Sequence, residues 1–327
     1  QKHGASGMNP LVLKSAWIAQ VLLVLVALCA PLRGQGKALD LTGYIDERGA
    51  ITVQRHGDTV DPYFALQALL LAQTHGLDTA APAAAWFDWL AARYQARQQL
   101  DRHCKNEVGW WPCKPADADD ASLALWLAFL KTRHPGPLKS ARVAALTQLA
   151  RRDLEALRDR RTGLYRVSPR LPHSLFMDNL EVWSVQARPS LARAIQATFW
   201  DPQLQIYRVS TQSAHPHPMA VFYPDATAQI YPLLLKFPHI PGGPAAFYSA
   251  WMAQHRRTWL AQMHTDFAWG LIALLAWEQG DLETVACWQQ QALPLRHGLH
   301  WTVTDEVVFQ ILPPLSPLSP TTPQDCT

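Results

Sequence analysis

Acidic residues recur at the starts of six predicted helices, and this recurrence most limits the possible folds. Each acid follows a loop with aromatic or glycine residues and precedes an apolar segment of helical periodicity. The starts are Asp58/Asp61, Asp117/Asp119/Asp120, Asp178/Glu181, Asp225, Asp266 and Asp305/Glu306. Taking positions 61, 119, 178, 225, 266 and 305, the successive spacings are 58, 59, 47, 41 and 39 residues. Each interval accommodates a helix, a turn, a second helix and a loop, so the pattern indicates repeated helical pairs.

A short echo in the sequence agrees with this repeat. Residues 163–168 (Gly-Leu-Tyr-Arg-Val-Ser) return as 205–210 (Gln-Ile-Tyr-Arg-Val-Ser), each in a loop before an acid-led helix. We predict an all-α fold in which six helical hairpins close into an (α/α)6 barrel, with short β-hairpins in the rim loops. The inner helices would then start at one rim and bring their acids to a single cleft. An open helical solenoid, with the acids spread along a groove, is the alternative.

Apolar residues at helical spacing define the predicted helices. They cover residues 63–73, 83–100, 122–131, 140–157, 180–185, 189–199, 227–237, 244–263, 268–278 and 282–292. Residues 41–54 are predicted to form a hairpin with its turn at 46–49.

The N-terminal segment is typical of an export signal. Lys2 and Lys14 precede an apolar stretch from residue 16 to residue 32, which is short for a membrane-spanning helix. We predict that residues 1–36 are a signal peptide with its upstream residues, 37–311 a catalytic barrel domain, and 312–327 a Pro-rich flexible tail. The expected location is the periplasm or the cell exterior, and an uncleaved membrane anchor is the alternative.

Charge and motifs exclude several classes of function. The chain has 29 basic and 26 acidic residues, but Lys2, Lys14 and Arg33 belong to residues 1–36, which hold no acid. The remainder therefore has 26 residues of each sign, which does not support a nucleic-acid-binding surface. No Walker, dinucleotide-binding or serine-hydrolase motif occurs, so we expect no cofactor and no metal.

The cysteines favour disulfides over a metal site. Cys104 and Cys113 lie nine positions apart around one loop, and an exported chain meets an oxidising compartment. We therefore predict a disulfide between them. A zinc site would need a second ligand pair at metal spacing, and the sequence has none. The pairing of Cys287 with Cys326 stays open.

Residues 110–120 (Trp-Trp-Pro-Cys-Lys-Pro-Ala-Asp-Ala-Asp-Asp) are the richest segment in chemically informative side chains. Like charges at close range resist ionising together, so three neighbouring carboxylates carry an electrostatic cost. Aromatic rings beside carboxylates suit a sugar, which has C–H faces and a rim of hydroxyls. A helix cap needs one carboxylate, so we interpret the cluster as functional. For Asp225, Asp266 and Asp305 taken singly, capping is the competing interpretation.

This segment and its setting resemble the six-hairpin glycosidase superfamily and are similar to family 8 glycoside hydrolases, the bacterial endoglucanases. That family carries Ala-Ser/Thr-Asp-Ala/Gly-Asp before a helix that contains Ile-Ala. The matching stretch is 116–120 (Ala-Asp-Ala-Asp-Asp), followed by Leu-Ala at 123–124. Residues 57–61 (Gly-Asp-Thr-Val-Asp) stand where the family has a Ser-Glu-Gly acid segment. The architectural resemblance covers residues about 40 to 311, and the motif covers about ten.

The resemblance implies an exported glycoside hydrolase that cleaves a bacterial or plant polysaccharide by carboxylate general acid/base catalysis. It implies Asp58 or Asp61 as the general acid, and Asp178, Glu181 or Asp225 as the base. The candidate catalytic residues are Asp58, Asp61, Asp119, Asp120, Asp178 and Glu181. The candidate substrate-binding residues are Tyr63, Trp110, Trp111, Asp117, Tyr165, Tyr207, Tyr223, Asp225 and Asp266. Trp269 lies on a predicted helix, where packing is the simpler interpretation.

Two other functions remain open. One is a polysaccharide lyase with Tyr165-Arg166 or Tyr207-Arg208 in its site, and the other is a non-catalytic carbohydrate-binding protein of an exopolysaccharide system. The string at 117–120 also resembles the acid motif of class II terpene cyclases, but their Gln-x-x-x-Gly-x-Trp repeats are missing. The expected partners are a polysaccharide or oligosaccharide substrate and inner-membrane polysaccharide synthesis or export machinery, with no nucleic acid. We expect a monomer.

Overall fold

The computed structural model describes residues 36–132, 137–212, 221–314 and Cys326, with the backbone alone at 137–140. All the elements below belong to the compact unit of residues 39–327. The predicted signal segment lies outside the described residues except for Gly36. Within the described ranges, no helix is both long enough and apolar enough to span a membrane.

The described part of the chain holds eleven α-helices, which confirms the all-α prediction. They are α1 (Pro62–Thr74), α2 (Ala80–Arg97), α3 (Asp119–Thr132), α4 (Pro137–Ala156), α5 (Phe176–Gln186), α6 (Pro189–Phe199), α7 (Thr227–Leu234), α8 (Pro244–Gln262), α9 (Gly270–Glu278), α10 (Leu282–Ala292) and α11 (Val303–Ile311). An antiparallel sheet joins β1 (Thr59–Val60), β2 (Arg102–Asn106) and β3 (Gly109–Lys114). A second sheet joins β4 (Trp200–Asp201) and β5 (Ile206–Tyr207). The hairpin predicted at 41–54 contains a single bridge, between Ile45 and Ile51.

Local sequence explains where several helices begin. Pro62 and Pro189 occupy the first turn of α1 and α6, where a missing N–H removes no helical hydrogen bond. Asp281 accepts the N–H of Thr284 and so caps α10. Such caps satisfy amide groups that have no partner within the helix.

Contacts among the odd-numbered helices form a closed series. α1 contacts α3, and the series continues through α5, α7, α9 and α11 back to α1. Four even-numbered helices each contact the odd-numbered helix before them: α4 contacts α3, α6 contacts α5, α8 contacts α7 and α10 contacts α9. Helix α2 packs on α3 through the stacked rings of Phe87 and Trp126, and Tyr94 in α2 donates a hydrogen bond to Asp153 in α4. The odd-numbered helices therefore form an inner row and the even-numbered ones an outer row.

The sequence echo forms two equivalent structural clamps. The backbone of Tyr165 exchanges hydrogen bonds of 2.8 and 2.9 Å with the side-chain amide of Asn179 in α5. The backbone of Tyr207 exchanges bonds of 2.8 and 2.9 Å with the side-chain amide of Gln229 in α7. Each clamp fastens a loop to the first turn of the inner helix that follows it. The echoed segments therefore have a structural role.

Two disulfides join segments that are otherwise held by few helix–helix contacts: a β-hairpin and the C-terminal tail. Cys104–Cys113 joins β2 to β3, which confirms the predicted pair. Cys287–Cys326 joins α10 to the C-terminal tail, and Gln289 in α10 donates to the carbonyl of Pro313. The predicted flexible tail is therefore anchored at these two points. Residues 315–325 and 327 lie outside the described residues.

Removal of Cys287–Cys326 is expected to cost about 1 kcal/mol more stability than removal of Cys104–Cys113. The two disulfides close loops of 39 and 9 residues, and the conformational entropy of the unfolded chain grows with the length of the released loop. Urea denaturation of the two double Cys→Ala variants measures the difference. Equal losses from both variants would show that loop length does not control the effect.

Candidate functional site

A cavity of about 470 Å³ lies where the N-terminal halves of the odd-numbered helices meet. All six helices contribute to its wall. The contributing residues include Tyr63 and Gln67 of α1, Ser122 of α3, Asp178 of α5, Tyr231 of α7, Leu271 of α9 and Thr304 of α11. The loops before α3, α7 and α9 add Asp117, Tyr223 and Trp269. A cavity of this size is typical of small-molecule sites.

Three carboxyl side chains are buried at this cavity on two adjacent helices. Asp120 of α3 and Asp178 and Glu181 of α5 are 0%, 8% and 3% exposed. Asp178 borders the cavity, and its carboxyl group lies within hydrogen-bonding range of the Asp120 carboxyl group. Asp178 and Glu181 are three residues apart and therefore share a helix face. Among the described residues, no basic side chain forms an ion pair with any of the three.

Burial controls the protonation of these acids. It raises the pKa of Asp178 to about 7, although the hydrogen bond with Asp120 acts in the opposite direction. Burial, and then the negative charge of Asp178, raise the pKa values of Asp120 and Glu181 well above the usual range of a carboxyl group. Two neighbouring carboxyl groups in such surroundings retain a shared proton near neutral pH. The Asp120–Asp178 pair can therefore donate or accept a proton at physiological pH.

A chain of hydrogen bonds holds Glu181 in place. The Tyr63 hydroxyl donates to Glu181 Oε1 at 2.5 Å, and Gln67 Nε2 donates to the Tyr63 oxygen at 3.2 Å. Thr304 Oγ1 donates to Gln67 Oε1 at 3.2 Å, so the chain connects α11, α1 and α5. Burial, and then the charge of Glu181, raise the pKa of Tyr63 well above its usual value. The phenol therefore remains a hydrogen-bond donor throughout the physiological pH range.

Arg102 on β2 joins two carboxylates at the edge of the cavity. Its Nε lies 2.5 Å from Asp61 Oδ2, and its Nη2 lies 2.7 Å from Asp117 Oδ2. Asp61 Oδ1 also accepts the backbone N–H of Tyr63 at 3.0 Å and so caps α1. Both oxygens of Asp61 are thus engaged in positioning contacts. Arg102 is absent from the residues predicted from the sequence, because the strand that carries it has no recognisable pattern.

An aromatic wall, formed by Tyr223 and Trp269, lines part of the cavity. The rings of Tyr223 and Trp269 stack with 5.1 Å between their centroids, and Tyr223 is 54% exposed. Trp269 has φ +50°, which is unusual for a large side chain. The next residue, Gly270, donates its N–H to Asp305 Oδ1 at 2.7 Å, which fixes the backbone beside the indole. Trp269 therefore belongs to the cavity wall, and the expectation of simple packing for this side chain is wrong.

Asp266, in the loop before α9, also borders the cavity. Its Oδ1 accepts the N–H of Phe267 at 2.7 Å. Within the described residues, its Oδ2 has no hydrogen-bond donor and no ion-pair partner. Asp266 is therefore a carboxylate with an oxygen available to a bound molecule.

Six of the predicted site residues line the cavity, and two lie directly behind its wall. The lining residues are Asp61, Tyr63, Asp117, Asp178, Tyr223 and Asp266, and those behind are Asp120 and Glu181. The structure therefore brings together acids from helix starts that are far apart in the sequence.

Three of the predicted acids lie away from this cavity. Asp58 is exposed next to β1 and accepts a hydrogen bond from Thr59 Oγ1. Asp119 borders a second cavity of about 290 Å³, and burial raises its pKa to about 6. Asp225 accepts the backbone N–H of Val221 at 3.3 Å. Their catalytic or binding roles are not supported, because none of them borders the main cavity.

Four predicted aromatic residues also lie away from the cavity. Trp110 donates from Nε1 to Asp46 Oδ2 at 2.7 Å, and Trp111 is exposed on β3. Tyr165 and Tyr207 are buried in the clamps described above. Substrate binding by these tyrosines is contradicted, because their rings have no surface available to a ligand.

The acids at the start of α11 have structural partners. Thr302 and Asp305 form a capping box, so the capping interpretation of Asp305 is confirmed. Glu306 accepts from Arg296 Nε and Nη2 at 2.9 and 2.6 Å, and from Trp301 Nε1 at 3.1 Å. Neither acid has an oxygen left for proton transfer.

No protein-family model, curated protein or solved structure matches this chain. Within the described residues, no group of three or more His, Cys, Asp or Glu side chains is arranged to hold a metal ion. The chemistry of the cavity is therefore inferred from its own side chains.

Proposed function

We propose that this protein is an exported glycoside hydrolase built on an (α/α)6 barrel. The closed series of contacts among the inner helices supports the barrel, and the cavity at their N-terminal halves supports a substrate cleft. The observation that carries the proposal is the buried Asp120–Asp178 pair, which holds a proton beside an aromatic-walled cavity. Two disulfides support a location outside the cytoplasm.

In this proposal Asp178 is the general acid. Its carboxyl group borders the cavity and retains a proton near neutral pH. It donates this proton to the glycosidic oxygen while the bond from that oxygen to the anomeric carbon breaks. Asp120 keeps a proton of its own, because burial and then the charge of Asp178 raise its pKa well above the usual range of a carboxyl group, and it donates its hydrogen bond to the Asp178 carboxyl group. This assignment differs from the one implied by the resemblance, because Asp58 lies outside the cavity and both oxygens of Asp61 are engaged.

Asp266 is the proposed base. Its free Oδ2 accepts a proton from a water molecule while the water oxygen bonds to the anomeric carbon. The proton lost by Asp178 is thus matched by the one gained at Asp266. A water molecule between base and sugar implies inversion at the anomeric carbon. The Tyr223–Trp269 wall would support the C–H face of the sugar ring.

The release of reducing ends from a panel of polysaccharides tests this function. The panel includes cellulose derivatives, mixed-linkage glucan, chitosan, xylan and uronate polymers, with Asp88→Asn as an exposed control on α2. New reducing ends without ultraviolet absorbance from unsaturated sugars are expected, and NMR of the first product should show inversion. Absorbance would indicate a lyase, whereas binding without new ends would indicate a non-catalytic protein.

Tyr223→Ala is expected to raise KM about tenfold, which corresponds to about 1.4 kcal/mol, and to change kcat little. The exposed ring offers a stacking surface, and its removal leaves the helices intact. Tyr223→Phe keeps the ring and should behave like the wild type. Steady-state kinetics on the best substrate compares the two variants, and an unchanged KM for Tyr223→Ala would exclude this wall from the binding site.

A further inference from the structure

Arginine is concentrated in one part of the chain. Residues 151–193 hold nine arginines, no lysine and five acids, although residues 37–327 as a whole have 26 residues of each sign. We call these nine side chains the arginine surface, because none of them is buried. Two of the five acids, Asp178 and Glu181, are buried at the main cavity. Nine arginines against the three remaining acids leave this surface with a formal excess of six positive charges.

Contacts at the C-terminal end of α4 bring several of these arginines together. Glu155 in α4 pairs with Arg158 at 3.1 Å and with Arg188, just before α6, at 3.4 Å. Arg166 Nη2 donates to the backbone carbonyl of Ala156 at 3.1 Å. The end of α4, the loop that follows it and the start of α6 therefore share one surface.

Much of the charge on the arginine surface is not neutralised. Gly163 lies beside Ala194, so the turn that contains Gly163 packs on α6. This turn carries Arg160 and Arg161, and α6 carries Arg193. All three arginine side chains are exposed, and they form no ion pair within the described residues. A guanidinium group forms paired hydrogen bonds with a carboxylate or phosphate group, so this surface suits a ligand with several negative charges.

The arginine surface reaches the second cavity, which adjoins the main one. Arg170 lines the second cavity, and Ala116 borders both cavities. The charged lining of the second cavity consists of three cations and two acids: Arg97, Lys114, Arg170, Asp101 and Asp119. Asp101 is already paired with Arg97 at 3.4 Å. A polymer that lies on the arginine surface can therefore follow cationic side chains to the edge of the main cavity.

The main cavity has the opposite character. Its lining carries five carboxyl side chains: Asp61, Asp117, Asp178, Asp266 and Asp305. Among the described lining residues the opposing cation is Arg102, which is already paired with Asp61 and Asp117. A sugar unit with a negative charge is therefore repelled from the main cavity, whereas an uncharged unit is not.

We propose that the arginine surface binds the acidic groups of a polysaccharide strand whose uncharged units enter the main cavity. This inference rests on the proposed glycoside hydrolase function and names its substrate class, a heteropolysaccharide with negatively charged groups on only some of its units. An anion bound outside the main cavity leaves the proton on Asp178, because a nearby negative charge favours the protonated form of a carboxyl group. Strand binding is therefore compatible with the general acid that cleavage needs.

A sugar strand fits this surface better than a membrane or a nucleic acid does. Within residues 151–193, all of which the structure describes, Leu171 is the single exposed large apolar side chain. Protein surfaces that bind membranes generally bury apolar side chains among the lipids and do not rely on charge alone. The path to the main cavity, in turn, favours a sugar polymer over a nucleic acid.

Isothermal titration calorimetry on the full chain tests this inference with two pairs of polymers. Carboxymethyl cellulose is compared with hydroxyethyl cellulose, and dextran sulfate with dextran, so the members of each pair share a backbone and differ in charge. At about 0.05 M salt the charged member of each pair is expected to bind about tenfold or more tightly than the neutral one. This difference should shrink at about 0.5 M salt, because salt shortens the range of electrostatic attraction.

A triple variant locates the charge that recognises the polymer. Arg160→Gln/Arg161→Gln/Arg193→Gln is expected to lower the affinity for both charged polymers about tenfold. The control variant replaces three exposed cations of other elements by glutamine and should keep the wild-type affinity; these cations are Lys131, Lys236 and Arg257. The comparison of polymers on the wild-type protein needs no variant, so it decides the question even where the triple variant fails to fold. A folded triple variant with wild-type affinity for the charged polymers would overturn the role of these arginines.

The outcomes separate this inference from the proposed function. Equal affinity within each pair would overturn the arginine surface as a binding site, and release of reducing ends from a neutral polymer would then leave the hydrolase proposal standing. Charge-dependent binding that the triple variant loses, without hydrolysis of any polymer, would keep the binding site and reject the hydrolase. Tighter binding of single-stranded DNA or of phosphatidylglycerol vesicles than of either charged polymer would overturn the assignment to a polysaccharide.

Discussion

Asp178→Asn is expected to lower kcat by about a thousandfold or more on the best polysaccharide substrate. An amide at this position has no proton to give to the leaving oxygen, and loss of a general acid typically costs two to four orders of magnitude. Asp and Asn have nearly the same size and shape, so the substitution should keep the packing in the first turn of α5. Rates of reducing-end release, with Asp88→Asn as the control, measure the effect.

The same variant is expected to gain stability at alkaline pH. The pKa of Asp178 in the folded protein, about 7, lies above its unfolded value of 3.8. The protonated group therefore contributes stability that is fully present below pH about 4 and is lost as the pH rises through about 7. Asn cannot ionise, so at pH about 8 the unfolding free energy of the variant should exceed that of the wild type by about 1 to 2 kcal/mol.

Together these two measurements distinguish catalysis from structure. Low turnover with equal or higher stability at pH about 8 is the pattern expected of a functional buried acid. A loss of several kcal/mol at all pH values would instead assign Asp178 a structural role. Near-normal turnover would remove it from the mechanism altogether.

Glu306→Ala is expected to lower the unfolding free energy by about 4 kcal/mol at neutral pH. The Glu306 carboxylate is 2% exposed and accepts two hydrogen bonds from Arg296, one from Trp301 and one from Gln310. Its removal leaves these donors without their acceptor in a buried site, which is among the most destabilising kinds of substitution. Urea denaturation measures the loss.

The pH dependence of Glu306 runs opposite to that of Asp178. Burial by itself raises the pKa of Glu306, but the hydrogen bonds from Arg296 and Gln310 outweigh burial and lower that pKa below 4.5. The ionised group therefore contributes stability above pH about 4.5, and this stability is lost as the pH falls through the lowered pKa. The gap between the unfolding free energies of wild type and Glu306→Ala should narrow as the pH falls through the lowered pKa. A gap that stays constant as acid is added would contradict this account.

An exposed ion pair provides the matched control. Glu283 pairs with Arg256 at 3.4 Å, and its side chain is 66% exposed. Glu283→Ala is expected to cost no more than about 0.5 kcal/mol, because solvent already screens this pair. Equal losses from the two variants would mean that burial of Glu306 has no energetic consequence.

Helix positions could be predicted because their signals are local. The apolar spacing at 189–199 and 282–292 matches α6 and α10 from end to end. The acids also predicted where inner helices begin. Asp61 is the N-cap of α1, and Asp305 belongs to the capping box of α11. The disulfide between Cys104 and Cys113 was predictable for the same reason, since it spans a single loop.

The strand β2 and its Arg102 could not be predicted from the sequence. The segment 102–106 (Arg-His-Cys-Lys-Asn) has no regular alternation of apolar and polar residues. It becomes a strand through its pairing with β3 and through the disulfide that joins the two. The ion pairs of Arg102 with Asp61 and Asp117 follow from that pairing. A single sequence contains no local signal for contacts between distant segments.

The helical pairs and the acid at the start of each inner helix can be read from the amino-acid sequence alone. Which acid of each group reaches the cavity depends on how the helices pack. Asp119 and Asp120 are adjacent in sequence, yet one borders the second cavity and the other lies buried against Asp178. Successive side chains on an α-helix point about 100° apart. The rotation of the packed helix α3 about its axis therefore determines which of the two acids faces Asp178. The raised pKa values follow in turn, because burial exists only once the helices have packed.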